Sequence, residues 1–422
     1  MQYADYLTAS LSDLQHALQG GETTARQLTE YALQRIAEVD QPRYNAITWL
    51  FADEALAAAD GSDASRQRGE ALGQLAGIPV LIKDNVEVKG WPTSAGSVLL
   101  RDVIADVDAP LVTTLRTHGA ILIGKTAMHE LAAGITGASS LTGFTHNAWR
   151  EGRSPGGSSS GSAVAVAAGY VPLAIGSDTA GSVRIPAAFN GLLGLRMTRG
   201  ALSTDGIVPL SPTQDIPGPL VRSADDLRLV CEILSGQRFA IEGEALRIGI
   251  WQEGFAADET EINQAVQAAI AGFEPVLVSW PQLETLASDA NIIGYEFAEA
   301  LAGYLADKPR AQFHTLQEIA ASERYHPQLT TVFKTRAAHP GTHSEGYAVV
   351  QQRQHDLYQQ LETMFAQHKV NLRAYPVVRR PPVEHGELQD GSNALVSAVT
   401  GAPAISIPAG LSDDGMPIGV EL

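Results

Sequence analysis

A chain of 422 residues with 45% apolar side chains can bury a substantial core, and a formal net charge of −18 disfavours nucleic acid, whose binding draws on Lys and Arg. The one cysteine, Cys231, excludes an internal disulfide and a thiolate cluster, and the eleven histidines show no tight ligand spacing, so no metal is expected. The longest apolar stretch, residues 163–175, is broken by Gly169 and Pro172 and is too short for a bilayer span, and the N-terminus lacks a secretory pattern, so a cytoplasmic protein without membrane contact is expected.

Residues 1–75 read as helices. Ser10 or Ser12 can cap LSDLQHALQ, which Gly20 and Gly21 stop. Thr23 or Thr24 can cap ARQLTEYALQRIAEV, whose Leu28, Tyr31, Ala32, Ile36 and Val39 share one face. Residues 51–59 give a third helix, and 61–69 a polar surface loop. The texture then changes. A short apolar run at 77–82 reads as a buried strand that delivers Lys83 and Asp84 at its end. A helix is expected at 109–117, a strand at 120–123, a tightly packed helix at 163–168 and a strand at 173–175. Strands alternating with helices imply an α/β fold with a largely parallel sheet. Residues 236–245 read as a linker. Beyond it, strands are expected at 246–251 and 275–279, helices at 260–273, 292–306 and 346–367, and returning strands at 371–376 and 404–407. The expected organisation is one domain, 1–422, with a core at 76–235 and a more variable half at 246–422.

Between Gly156 and Pro186 the chain reads GGSSSGSAVAVAAGYVPLAIGSDTAGSVRIP, two Gly- and Ser-rich loops around one apolar run. Glycine lets a backbone approach a ligand closely. A serine hydroxyl is a weak nucleophile until a base takes its proton. No histidine lies near either loop in sequence. A lysine can serve if burial lowers its pKa far below about 10.4, and Lys83 at the end of a buried strand is the candidate. Taken singly these features have ordinary readings: a lysine closing a strand is commonly solvated, Gly-Ser clusters mark turns, and the first loop could bind an anion at a helix N-terminus.

Together they resemble the amidase signature family. The resemblance is carried by Gly77-Ile-Pro-Val-Leu-Ile-Lys83-Asp84, Ser-Pro-Gly-Gly-Ser158-Ser-Ser-Gly-Ser-Ala and Gly-Ser-Asp-Thr-Ala-Gly-Ser182-Val-Arg-Ile-Pro. Ile123-Gly-Lys-Thr126, Gly194-Leu-Arg-Met-Thr-Arg-Gly200, Gly206-Ile-Val-Pro-Leu, Asp215-Ile-Pro-Gly-Pro219 and Gly401-Ala-Pro-Ala-Ile-Ser-Ile-Pro-Ala-Gly410 extend it. It implies an amidase signature fold, with a large mixed, mainly parallel central sheet covered by helices on both faces. It implies Ser182 as nucleophile, Ser158 as a bridging serine after a cis peptide bond, and Lys83 as base. Backbone N–H groups of Thr179, Ala180, Gly181 and Ser182 would cradle the oxyanion, with Asp178 and Arg184 as loop braces. Ala132-Ala-Gly-Ile-Thr-Gly137 resembles the family's pocket loop, in which Ala132, Gly134 and Thr136 would approach a small-molecule amide. The implied chemistry uses no cofactor, and a homodimer is compatible with it.

The chain departs from the usual pattern at Ala180, where most members have Gly, at Ser160 and at Met197. Thr-Ala-Gly-Ser182 and the run from Thr198 to Thr204 resemble allophanate hydrolases. Many members continue beyond the segment that ends here at Leu422, so a shortened edge is expected. Segments around Tyr295, Tyr304, Leu361 and Tyr375 resemble amidases of simple carboxamides, including indoleacetamide-type enzymes, and also read as helix-core patterns. The expected reaction is hydrolysis of a primary carboxamide to acid and ammonia. Alternatives are an allophanate hydrolase-like enzyme and an A-type amidotransferase component that works with partner chains. A phosphate-binding protein built on the Gly-rich loop is opposed by that loop's lack of a Gly-Lys-Ser/Thr ending, and a dead binding module by the presence of all three triad residues.

Overall fold

Eleven strands form one sheet in the computed structural model, which describes residues 1–239 and 245–422. In chain order they are β1 (Ile47–Leu50), β2 (Pro79–Lys83), β3 (Ile121–Thr126), β4 (Leu173–Asp178), β5 (Leu193–Arg196), β6 (Ile216–Val221), β7 (Ile248–Trp251), β8 (Val276–Val278), β9 (Leu372–Pro376), β10 (Ala404–Leu411) and β11 (Pro417–Glu421). Across the sheet the order is β1-β3-β2-β4-β6-β5-β10-β11-β9-β7-β8. Helices flank it, so the chain is α/β with a large mixed sheet. The expected parallel pairing is found in two blocks, β3-β2-β4 and β9-β7-β8. The strands between those blocks run antiparallel, as does edge strand β1.

Strands β2 and β4 run side by side in register, Ile82 opposite Ile175, and every residue of both is buried. Their C-terminal ends therefore bring Lys83 and Ser177-Asp178 to the same edge. The helix Ser160–Ala167 fills the crossover before β4. Its Ala and Val side chains are small enough for close packing, and Ser160 to Val166 are all buried. At Gly161 a Cβ would collide with the Ala46 carbonyl and lie 2.6 Å from the Ala127 nitrogen.

The N-terminal helices follow their caps. Ser10 accepts from the Asp13 N–H and Thr24 from the Gln27 N–H, each in a reciprocal capping box. Leu28, Ala32 and Ile36 face the core, with Tyr31 and Val39 packed at its margin. The third helix is longer than its sequence pattern predicts: it spans Ala52–Gln67, so the expected loop at 61–69 is mostly helical. Its polar residues have partners. Asp63 accepts from the N–H groups of Ala25 and Arg26 at 2.7 and 3.0 Å, and Asp60 pairs with Arg26. They neutralise the exposed start of the neighbouring helix, where acidic groups are favoured.

Strand β6 departs from expectation, because IPGPLV carries two prolines. It pairs with β4 from Leu173–Val221 to Asp178–Ile216, and Gly218 lets the Leu195 carbonyl of β5 approach. Strands β1, β5 and β11 and the helices Leu283–Asp289, Leu316–Ser322 and Thr330–Ala337 likewise go beyond the sequence expectation. The helix Ala224–Ser235 ends at Gly236, whose φ of 68° is left-handed. Of the expected linker at 236–245, positions 240–244 lie outside the described residues.

Gly161→Ala tests the helix contact. At an unhindered helix position this change gains up to ~1 kcal/mol. Here the expected outcome is a loss of about 1–3 kcal/mol by overpacking, read as a lower urea midpoint with the denaturant slope unchanged.

Candidate active site

Lys83 closes β2 with its side chain fully buried. Its Nζ lies 2.7 Å from Ser158 Oγ, 2.9 Å from Ser177 Oγ and 3.2 Å from the Ser177 carbonyl oxygen. Asn85 Nδ2 donates to Ser177 Oγ at 3.0 Å and fixes that hydroxyl. Burial pulls the Lys83 amine down to about 7, against the opposing pull of Asp178 and Asp215. No carboxylate touches it among the described residues. Asp178 is held well below the usual carboxylate range: burial pushes it up, but Arg184 and Arg196 prevail. Burial raises Asp215 to about 6, while Thr179, Leu210 and Ser211 hydrogen-bond to it.

The first serine loop divides its labour. The Gly157-Ser158 peptide bond is cis. The Ser158 carbonyl accepts from the His129 N–H at 3.0 Å. Ser159 Oγ donates to the Ser177 carbonyl, Ser160 Oγ to that of Gly156, and Ser162 Oγ to that of Ile175. Of these four serines, only Ser158 meets Lys83. The Ser159 N–H donates to the Ser182 carbonyl at 3.1 Å, which ties the two loops together directly. Ser182 is 4% exposed, and its hydroxyl makes no hydrogen bond among the described residues.

Asp178 organises the second loop. Its carboxylate accepts from the N–H groups of Gly181 and Val183 at 2.9 and 3.1 Å. Arg184 binds both of its oxygens at 3.0 Å in a bidentate pair, and Arg196 Nη1 reaches its Oδ1 and carbonyl at 3.2 and 2.7 Å. Arg184 continues to Glu421 Oε1 and Ser397 Oγ, each at 2.6 Å. The bracing expected of Asp178 and Arg184 is thus a five-residue buried cluster. One expectation is corrected here. Gly181 was to give its N–H to the oxyanion cradle, but that N–H is committed to Asp178. The N–H groups of Thr179, Ala180 and Ser182 have no acceptor among the described residues and remain available.

The loop at 132–137 lies against the first serine loop: a Cβ on Gly157 would stand 3.0 Å from Ile135. Ala132 sits with φ at 54° in an apolar cluster with Met128, Leu131, Ala133 and Phe297, against which Ala180 packs. Gly134 covers the buried His129 ring so closely that any Cβ there would collide with it. The Thr136 hydroxyl donates to Gln328 Oε1 at 2.9 Å, and its N–H to His129 Nδ1 at 3.2 Å. Of the three expected pocket residues, Ala132 belongs to the apolar cluster against which Ala180 packs, whereas the polar groups of Thr136 are engaged within the protein. Sequence reasoning missed Ser177, Asn85, Arg196, Gln214, Ser397 and Glu421. Ser177 adjoins Asp178 within the second serine motif, but Glu421 and Ser397 lie more than two hundred positions from Arg184 and carry no local signal. Among the described residues no three His, Cys, Asp or Glu side chains gather to hold a metal ion, and no helix is long and apolar enough to cross a membrane.

Comparison with known proteins gives this geometry its context. The chain is 33% identical to the A-type component of the glutamyl-tRNA(Gln) amidotransferase of Deinococcus radiodurans, over 97% of this chain and 92% of that one. The fold matches the peptide amidase of Stenotrophomonas maltophilia with a TM-score of 0.87 and 32% identity, covering 98% of this chain and 92% of that one. It matches a 6-aminohexanoate cyclic dimer hydrolase with a TM-score of 0.84 and 26% identity, over 98% and 92% of the two chains. With the model of the family described as Amidase matching residues 27–422, this chain belongs to the amidase family and is an enzyme acting on amide carbon–nitrogen bonds.

Proposed function

We propose that the chain hydrolyses a small primary carboxamide to a carboxylic acid and ammonia through an acyl-enzyme on Ser182. The observation that carries this reading is the 2.7 Å contact between a fully buried lysine amine and the Ser158 hydroxyl. A neutral amine has two hydrogens and one lone pair. The two Ser177 oxygens accept the hydrogens, which leaves the lone pair for the Ser158 O–H.

In the proposed cycle Ser158 passes its proton to Lys83 as it accepts one from Ser182. Ser182 Oγ bonds to the amide carbon, and the carbonyl electron pair moves onto oxygen. The free N–H groups of Thr179, Ala180 and Ser182 face that charge, each such donor being worth roughly 3–4 kcal/mol. The amine proton returns through Ser158 to the leaving nitrogen, the C–N bond breaks and ammonia departs. Water then adds to the ester by the same transfers in reverse, and the acid leaves Ser182 restored. The apolar cluster of Ala132, Ala133 and Phe297 beside Ala180 supports an apolar acyl group. The amidotransferase relatives favour a second reading, in which the chain works as one component of a complex with partner chains. Ammonia release by the purified chain, scored over hexanamide, benzamide and phenylacetamide, separates the two: turnover of any of them supports the amidase, and none throughout supports the complex. Allophanate as a fourth substrate scores the narrower alternative.

Three outcomes test the roles. Ser182→Ala is expected to lower kcat at least ~10³-fold and to abolish labelling by a fluorophosphonate, with the circular dichroism spectrum unchanged. Because the base must be uncharged, kcat/KM is expected to rise with pH through about 7 and level off above it. The stability sign follows from linkage. The folded pKa lies below the ordinary 10.5, so the unfolded chain binds more protons between about 7 and 10.5 and the fold loses stability as pH falls across that window. Lys83→Met is expected to be inactive and to melt above the parent at pH 7, with the gap closing toward pH 10.

A further inference from the structure

Each available N–H in the second loop belongs to a planar peptide whose other end is pinned. In a trans peptide the C=O and N–H point in opposite directions, so fixing the carbonyl aims the N–H. The Asp178 carbonyl, which shares a peptide with the Thr179 N–H, accepts from Arg196 Nη1 at 2.7 Å. The Gly181 carbonyl, paired with the Ser182 N–H, accepts from the Ile185 N–H at 2.8 Å. The Thr179 carbonyl, paired with the Ala180 N–H, accepts from Gln214 Nε2 at 3.0 Å. Two of these anchors have other duties: Arg196 also holds the Asp178 carboxylate, and Ile185 is a helix backbone. Gln214 is a side chain whose one donated bond to this loop is the carbonyl contact.

We infer that Gln214 is a positioning residue for amide hydrolysis, which aims the Ala180 N–H at the oxyanion by holding the far side of the Thr179–Ala180 peptide. Gln214 is fully buried, and its amide orientation is set by its neighbours. Its Oε1 accepts from the Ile292 N–H at 3.3 Å and from Gln354 Nε2 at 3.2 Å, so its NH₂ must face the Thr179 carbonyl. Gln354 is fixed in turn by donating to the Ala290 carbonyl at 3.1 Å and accepting from Arg199 Nη1 at 3.2 Å. The neighbouring Asp215 binds the Thr179 hydroxyl at 2.5 Å, which locates the residue but leaves the next peptide plane free to rotate. Ala180 makes that rotation easier to resist than glycine would, since its Cβ packs against the apolar cluster. The Gln214 amide sets the remaining direction.

This inference rests on the Ser182 acyl-enzyme reading, and its test keeps the two apart. Gln214→Glu retains the acceptor that serves Ile292 and Gln354 but replaces the donor facing Thr179. On the best amide of the panel it is expected to lower kcat roughly 10- to 100-fold, the cost of misaiming a reacting geometry, with KM changed less than about threefold. Phenylboronic acid, which forms a tetrahedral adduct on an active-site serine, should inhibit this variant more weakly by the same factor. Inhibition by the product acid should be unchanged. Gln214→Met, which removes both partners, serves as the second variant if the first does not fold. Parent-like kcat in either folded variant, or a fall in kcat with boronate inhibition unaltered, overturns the inference. Retained activity in Ser182→Ala would instead overturn the reading beneath it.

Discussion

An amine buried among hydroxyl and carbonyl oxygens, with every nearby carboxylate committed elsewhere, is the constraint on which this structure turns. A carboxylate in contact with Lys83 would stabilise the ammonium form and lock away its lone pair. Asp178 and Asp215 both stand close enough to act on the amine. Two arginines saturate Asp178, and Asp215 is occupied by Thr179 and two backbone donors. Asp178 is thus paired with arginines and Asp215 with neutral donors, while burial holds the Lys83 amine at about 7.

The sheet supplies the geometry. Because β2 and β4 are parallel and in register, the end of one delivers the lysine and the end of the other delivers Ser177 and Asp178. The connection from β3 into β4 carries the first serine loop and its helix, which brings Ser158 to the same edge. Small side chains make this possible. Gly157, Gly161 and Gly176 each sit where a Cβ would press on a neighbouring segment. Serines that look interchangeable in the sequence become distinct once three of them are spent on backbone carbonyls.

Much of this was legible because the informative residues are close in sequence. Lys83, Ser158 and Ser182 fall in short motifs bounded by glycine, and the strands that carry them are plain apolar runs. The N-terminal helices announced themselves through Ser10 and Thr24 and through the spacing of Leu28, Ala32 and Ile36. The failures have physical causes. β6 hides behind Pro217 and Pro219, which local rules place outside a central strand. The helix from Ala52 continues through Gly61, Ser62 and Asp63 because tertiary contacts with Arg26 and its neighbours outweigh weak propensity. Gly181 could not be excluded from the cradle, since only folding shows that Asp178 turns back onto its N–H. Arg196, Gln214 and Glu421 are ordinary polar residues in sequence, and their partners are set by sheet order.

The clasp between Arg184 and Glu421 has a consequence for biosynthesis. Glu421 lies on β11, which inserts between β10 and β9, and the guanidinium it neutralises is the same one that shapes the Ser182 loop. The central motifs leave the ribosome long before that carboxylate is made. Until then Asp178 is the carboxylate partner Arg184 has, and the loop it supports lacks its full brace. The brace behind the Ser182 loop is therefore complete only once β11 has taken its place in the sheet.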